Sequence, residues 1–312
     1  MFVIELTVRA RLFYSGEIMN DPQSSLRNFP KKAEFFVGID SDGCVFDTME
    51  VKHKECFIPM FVKYFGLAAI CKVARETAEF VNLYSVDRGT NRFPGYLKTL
   101  DLLAIRPEVA RRGFRVPPMG GLRDWVTRET KLANPALKAE VARTHDQDLI
   151  LALRWSEEVN RVIGEIVRDV PPFPLVRESL HVLRGKADVM VVSATPGEAL
   201  HREWEEHELA GLVTLIAGQE MGTKKEHIGL ATAGRYDKDK VLMVGDAPGD
   251  QRAAEANGVL FYPIDPGAED QSWQRFHEEA LPRFFKGAYA GDYMRQQIER
   301  FEALLPVQPP WV

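Results

Sequence analysis

Short apolar runs that each end abruptly in polar residues are the feature that most constrains the fold of this chain. A continuous apolar run of this length is typical of a strand buried on both faces of a parallel sheet. Helical patterns separate the later runs, which indicates βαβ units. The predicted strands span residues 35–39, 188–193, 213–217, 241–245 and 258–262. Because such crossovers are right-handed, the topology predicted is a Rossmann-like, doubly wound parallel sheet.

The residues that follow the first predicted strand carry the strongest chemical signal. Asp40 and Asp42 stand two positions apart and Gly43 follows at once. Two carboxylates this close repel each other unless a proton or a cation neutralises one of them. Ligands of open parallel sheets also bind just beyond the carboxyl ends of the strands. A simple turn that leaves a core strand would use the same residue types, so the pair by itself does not decide between the two readings.

Three further motifs follow in the sequence and favour the chemical reading. They are Ser193-Ala194 after a predicted strand, Gly222-Thr223-Lys224-Lys225 at the start of a helical pattern, and Asp246 with Asp250 after another strand. Strand–Asp-x-Asp-Gly, strand–Ser, Lys and strand–Gly-Asp-x-x-x-Asp, in that order, resemble the haloacid dehalogenase superfamily. The resemblance covers residues 35–47 and about 174–263.

The resemblance implies a different role for each of these residues. Asp40 would be the nucleophile that forms an aspartyl-phosphate, and Asp42 would protonate the leaving oxygen and later take a proton from water. Ser193, Ala194 and Lys224 would bind the phosphoryl group. Because members that cleave carbon–halogen bonds lack an acid at the position of Asp42, the resemblance implies P–O chemistry.

A divalent cation is the expected cofactor, since one lysine cannot neutralise four acids and a phosphate dianion. Carboxylate and carbonyl oxygens favour Mg²⁺. The resemblance assigns its ligation to the Asp40 carboxylate, the Asp42 backbone carbonyl and Asp246, with Asp250 orienting the site. Asp47 resembles a position that steadies the loop after the nucleophile, and a helix N-cap is an equal alternative for it. Lys224 fits the lysine of the third motif better than Lys225 does.

The order of the predicted elements divides the chain into regions. An N-terminal extension is predicted at 1–34, a core at 35–47 and 174–265, a mostly helical cap at 48–173 and a C-terminal helical extension at 266–312. The insertion point resembles that of the superfamily's first cap type. Prolines within residues 171–174 would end a helix there and stiffen a linker. Thr195 and Pro196 are expected to begin the helix after the second strand.

Substrate specificity is expected to reside in the cap, where a polar, glycine-broken segment interrupts the helical pattern. We hypothesise that Arg88 and Arg92 in this segment reach a phosphate or another anionic group of the substrate. Solvated surface arginines are the alternative. Substitution of each by Ala, with kcat/KM unchanged, would contradict the hypothesis.

Composition is that of an ordinary globular protein, with 45% hydrophobic residues, 27% charged residues and a net charge of −5. This charge argues against general nucleic-acid binding and gives no sign of a membrane role. Three cysteines without C-x-x-C spacing favour a cytoplasmic setting. The activity predicted is a Mg²⁺-dependent phosphatase acting on a small phosphorylated metabolite. A phosphomutase resembling β-phosphoglucomutase, a non-catalytic phosphate-binding relative and a dehalogenase are the alternatives, and the oligomeric state stays open.

Overall fold

A five-stranded parallel sheet lies at the centre of the computed structural model, which describes residues 21–311. A short helix, α1 (Ser24–Arg27), precedes the sheet. The strands are β1 (Phe35–Ile39), β2 (Ala187–Val192), β3 (Leu215–Ala217), β4 (Val241–Gly245) and β5 (Leu260–Pro263). Their order across the sheet is β3-β2-β1-β4-β5, and all neighbours pair in parallel. The predicted doubly wound sheet is confirmed, although β3 begins later than the span 213–217 predicts.

A helical insert separates β1 from β2 and builds a hydrophobic core of its own. Its helices are α2 (Thr48–Val51), α3 (Ile58–Tyr64), α4 (Cys71–Leu83), α5 (Arg92–Ala104), α6 (Pro107–Arg111), α7 (Gly120–Arg128), α8 (Asn134–Thr144) and α9 (Gln147–Ile166). A π-helical segment, Lys52–Phe57, joins α2 to α3. Trp155 packs on Tyr96 with 4.7 Å between ring centroids, within a cluster of buried side chains from the insert. Burial of large aromatic rings, together with aliphatic side chains of the same cluster, holds these helices together.

The chain leaves the sheet for the insert and returns to it at one place. Phe46 and Pro172 form an isolated antiparallel bridge, and the Phe173 N–H donates to the Val45 carbonyl at 2.9 Å. The two connections therefore lie side by side after β1. The exact boundaries of a cap domain at 48 and 173 stay a prediction.

Helices cover both faces of the sheet. Those between the strands are α10 (Val176–Leu183), α11 (Gly197–Glu206), α12 (Lys224–Thr232) and α13 (Pro248–Asn257). Val37 and Ile39 of β1 belong to one cluster of buried side chains, whereas Phe36 belongs to another on the opposite face. Because successive strand side chains alternate between faces, β1 is buried from both sides. This position at the centre of the sheet fixes the residues that follow Ile39.

The C-terminal region packs on the sheet and reaches the insert. Its helices are α14 (Glu269–Arg275), α15 (Leu281–Phe285) and α16 (Asp292–Ala303), with a π-helical turn at Phe276–Ala280 between the first two. The Trp273 Nε1–H donates to the Cys44 carbonyl at 2.7 Å. Trp311 lies under the Arg106 guanidinium, 4.3 Å from its ring centroid. The C-terminal region therefore braces the loop after β1 and contacts the helices of the insert.

The predicted N-terminal extension, 1–34, lies largely outside the described residues. Of the helices between residues 21 and 311, none is long and apolar enough to cross a membrane.

Candidate active site

Three of the acidic residues singled out from the sequence converge beyond the carboxyl ends of β1 and β4. One carboxylate oxygen each of Asp40, Asp246 and Asp250 lies within 4.8 Å of the others. The Nζ of Lys224, at the start of α12, lies 2.6 Å from Asp40 Oδ2 and 2.7 Å from Asp250 Oδ1. The structure thus brings together residues from three distant segments: the pairing of β1 with β4 places Asp40 near Asp246 and Asp250, and the start of α12 adds Lys224.

Asp250 is held by the backbone as well as by the lysine. Its Oδ2 accepts from the Ala247 N–H at 3.1 Å in the first turn of α13. Gly245 is required beside it, because a Cβ at that position would lie 2.3 Å from the Asp250 carboxyl carbon. Asp250 is therefore fixed in place, which suits the orienting role that the resemblance implies.

Burial of these carboxylates opposes their ionisation. Burial raises the pKa of Asp40 to about 6 despite the opposing charge of Lys224, and it does the same to Asp250. The pKa of Asp246 is also raised by burial. The pKa of Lys224 is raised because the two carboxylates outweigh the burial of its own charge. A cation that binds beside these carboxylates would therefore stabilise their ionised form.

Asp42 points away from this carboxylate group and towards the insert. Thr195 Oγ1 donates to its Oδ2 at 2.7 Å, Thr48 Oγ1 donates to its Oδ1 at 2.5 Å, and Lys52 forms an ion pair with Oδ1. Burial alone would raise the pKa of Asp42, but Lys52 and these hydrogen bonds lower it to about 2. Asp42 is therefore ionised in this arrangement, as a general base must be.

Ser193 and its neighbours lie at the end of β2, beside Asp42. The Ser193 side chain is buried, and its Oγ accepts from the Thr195 N–H at 3.2 Å. Ala194 is exposed. The expectation for the next helix is wrong: α11 begins at Gly197, not at Pro196. Thr195 precedes the N-cap residue, Pro196, and makes no capping hydrogen bond; its hydroxyl donates to Asp42.

Two further residues considered for the site, Lys225 and Asp47, do not contact the carboxylates. Lys225 is exposed, and its backbone carbonyl accepts from Asn257. Lys224 is thus the lysine of the pair that reaches the carboxylates. Asp47 occupies the N-cap position of α2, but its side chain makes no capping hydrogen bond.

The two arginines suggested for substrate binding have different surroundings. Arg88 is buried and pairs with Asp246, with 2.7 Å between Nη2 and Oδ2. Arg92 donates from Nη1 to Ser156 Oγ at 2.9 Å and to Asn160 Oδ1 at 2.8 Å, within the insert. Neither is a solvated surface arginine, and contact of either with a substrate stays a prediction.

Sequence reasoning missed Lys52, Thr48 and Glu203. Thr48 and Lys52 lie four residues apart on consecutive helical segments, so both can face Asp42. Glu203 of α11 accepts from Ser41 Oγ at 3.3 Å, and burial followed by the charge of Asp42 raises its pKa to about 7. The helical spacing of Thr48 and Lys52 was a usable signal, whereas nothing local marked Glu203.

The carboxylate group fits a divalent cation. Asp246 Oδ1 is buried and has no hydrogen-bond partner among the described residues. An ionised oxygen without a donor is costly to bury, so this atom is suited to a ligand. Hard carboxylate oxygens at this spacing match the preferences of Mg²⁺. No histidine within residues 21–311 belongs to such a group.

The comparisons with known proteins give matches in structure. No family model and no curated protein matches the sequence. One similar structure is a haloacid dehalogenase-like hydrolase of Streptococcus pneumoniae, with 13% identity, a TM-score of 0.42, and coverage of 77% of this chain and 90% of that one. Another is a HAD-superfamily hydrolase, subfamily IA, of Geobacter sulfurreducens, with 15% identity, a TM-score of 0.37, and coverage of 74% and 87%.

A third similar structure, from Haemophilus somnus, is named as a predicted phosphoglycolate phosphatase; the identity is 13%, the TM-score 0.44, and the coverage 76% of this chain and 87% of that one. All three resemble this chain distantly. The structure brings Asp40, Lys224 and Asp246 together at one edge of its parallel sheet, and these are residues on which the resemblance of the sequence rests.

Proposed function

We propose that this protein is a Mg²⁺-dependent phosphatase that hydrolyses a small phosphorylated metabolite through an aspartyl-phosphate intermediate. The observation that carries the proposal is the meeting of Asp40, Asp246 and Asp250 with Lys224 beyond two neighbouring parallel strands. Three ionised, buried carboxylates still have an excess of negative charge when Lys224 and Arg88 are their partners. Such a group can accept a phosphoryl dianion only together with a cation.

Each residue has a task in the proposed reaction. Mg²⁺, held by Asp40, the Asp42 backbone carbonyl and Asp246, would neutralise the approaching phosphoryl oxygens. Asp40 Oδ attacks phosphorus, and Lys224 and Ser193 bind the phosphoryl oxygens. In the second step, ionised Asp42 takes a proton from the water that attacks the aspartyl-phosphate. In the first step the bond from phosphorus to the leaving oxygen breaks, and Asp42 gives that oxygen a proton that it has taken up from solvent; its ion pair with Lys52 therefore has to open beforehand.

The direct test is a panel of phosphomonoesters assayed for phosphate release with MgCl₂ and with chelator. We expect release from at least one monoester with Mg²⁺ and its loss on chelation. Conversion of a sugar 1-phosphate without net phosphate release would indicate the phosphomutase alternative. Chloride release from a 2-haloacid would indicate a dehalogenase, and no turnover of any substrate would favour a phosphate-binding relative.

The pH dependence of the reaction should reflect the nucleophile. Burial raises the pKa of Asp40 to about 6, and only the ionised carboxylate attacks phosphorus. We therefore expect kcat/KM to fall as the pH falls through about 6 at low Mg²⁺. Because a bound dication favours ionisation, this acid limb should move to lower pH at saturating Mg²⁺. Profiles of kcat/KM against pH at two Mg²⁺ concentrations measure this shift. An acid limb at the same pH in both profiles would contradict the assignment of Asp40 as the nucleophile.

A further inference from the structure

We infer that Arg88 is a positioning residue of the metal site: it holds Asp246 by one carboxylate oxygen and leaves the other free for the cation. Asp40 and Asp246 directly follow β1 and β4, and Asp250 lies in the first turn of α13, whereas Arg88 belongs to the helical insert. The insert therefore contributes a residue to a potential metal site whose acidic residues all lie outside the insert. This inference rests on the magnesium site proposed above.

The guanidinium of Arg88 is fixed on two sides. Its Nε and Nη2 lie 2.9 Å and 2.7 Å from Asp246 Oδ2, and Nε also donates to the Asp246 carbonyl at 3.0 Å. On the other side, Nη1 donates to the carbonyl of Leu83, the last residue of α4, at 3.0 Å. The two side chains are 3% and 1% exposed, so water does not screen the ion pair. The position of α4 therefore affects the orientation of the Asp246 carboxylate through Arg88.

The second oxygen of Asp246 indicates why this orientation matters. Oδ1 is buried without a hydrogen-bond partner among the described residues, although Oδ2 accepts from the Nε–H of Arg88 and lies 2.7 Å from its Nη2. Arg88 alone therefore does not satisfy the carboxylate. Oδ1 belongs to the side chain that meets Asp40 and Asp250 in the potential metal-ligand group. A cation bound there would satisfy the oxygen that Arg88 leaves free.

Two glycines make room for this arrangement. A Cβ at Gly43 would lie 2.5 Å from Asp246 Oδ2 and 2.8 Å from Arg88 Nη2. A Cβ at Gly89 would lie 2.7 Å from the Cβ of Ala247. Both glycines have positive φ, +76° and +72°, which L side chains rarely adopt. The loop of the insert that carries Arg88 therefore approaches the loop after β4 closely.

The physical consequence is that metal affinity depends on the insert. Partners that orient metal ligands typically contribute about 10–100-fold to metal affinity. If Arg88 is removed, the Asp246 carboxylate loses the ion pair and the hydrogen bond that hold it among residues 21–311, and it is free to reorient within the potential metal-ligand group. Movement of the insert away from the sheet would have the same effect. Metal binding and closure of the insert should then strengthen each other.

The experiment is titration of the metal-free full-length protein with MgCl₂ by isothermal titration calorimetry. We expect Arg88→Met to raise the Kd for Mg²⁺ by about 10–100-fold. Arg88→Lys keeps the charge but lacks the paired N–H donors, so it should also bind Mg²⁺ more weakly than the wild type. The matched control is Arg106→Met, since Arg106 is equally buried in the insert but pairs with Glu76 and Glu108. Its Kd for Mg²⁺ should be unchanged.

Failure of this inference can be distinguished from failure of the proposed magnesium site. Wild-type affinity in the folded Arg88 variants, or tighter binding, overturns the inference; tighter binding would mean that Arg88 competes with the cation. Circular dichroism verifies the fold, and Arg88→Lys decides the matter if Arg88→Met does not fold. Absence of Mg²⁺ binding by the wild type would instead overturn the proposed magnesium site itself.

Discussion

Asp40→Asn is expected to lower kcat for phosphate release by roughly 10⁴-fold or more, which is the scale of loss when a nucleophile is removed. An amide cannot form the aspartyl-phosphate, although it can keep a hydrogen bond with Lys224, which lies 2.6 Å from Asp40 Oδ2. The fold should therefore survive while the reaction stops. Steady-state kinetics with the best substrate of the panel measures the loss.

The intermediate gives a sharper measurement on the same variant. Acid quenching of the wild type during turnover, followed by peptide mass spectrometry, should place a phosphoryl group on Asp40 and none on the variant. Asp239→Asn is a suitable control, because Asp239 is exposed and lies before β4, at the opposite end of that strand. Phosphate on another side chain, or an Asp40→Asn enzyme with substantial turnover, would contradict the proposed nucleophile.

Lys224→Met should have the largest effect on stability, because it leaves two buried carboxylates without their shared partner. The Nζ of Lys224 lies 2.6 Å from Asp40 and 2.7 Å from Asp250. Breaking a buried pair by removal of one partner typically costs about 3–5 kcal/mol in the free energy of unfolding. The variant should also lose phosphatase activity, since the lysine proposed to bind the phosphoryl group is then missing. Urea denaturation followed by tryptophan fluorescence measures the stability loss.

The neighbouring lysine and the pH provide two controls for this prediction. Lys225→Met should change the free energy of unfolding by no more than about 0.5 kcal/mol, because Lys225 is exposed. Burial already raises the pKa of Asp40 and Asp250 to about 6, and loss of Lys224 would raise both further. Below pH 5 both acids take up protons, so the destabilisation should be smaller there than at pH 7.5. A larger effect of Lys225→Met than of Lys224→Met would reverse the assignment.

The strands and the main acidic residues of the site could be predicted because their signals are local. The apolar run before Asp40 and the run before Asp246 each specify a buried strand without reference to the rest of the chain. Parallel pairing then places both acids at one edge of the sheet. The start of α11 was predicted one residue too early: Pro196 has an extended ψ of 136° and is the N-cap, while the hydroxyl of Thr195 donates to Asp42.

The contacts between the insert and the sheet could not be predicted from local patterns. Lys52 and Arg88 both occur in polar surroundings in the sequence, yet each forms an ion pair with an acid of the site. Their partners are decided by how the helices of the insert pack and where they rest on the loops of the sheet. A helix pattern specifies which face is apolar, but it does not specify the partner of each charged side chain.

The sequence by itself determined the parallel sheet, the helical nature of the insert and the acids that follow β1 and β4, because short-range periodicity and strand order suffice for these. Only the tertiary structure decided that Asp42 turns towards Lys52 and Thr195, that Lys224 and not Lys225 joins Asp40, and that Arg88 is buried against Asp246. These contacts depend on the burial of charges between distant segments. Burial makes an unpaired charge expensive, so the packing of the whole molecule selects the pairs.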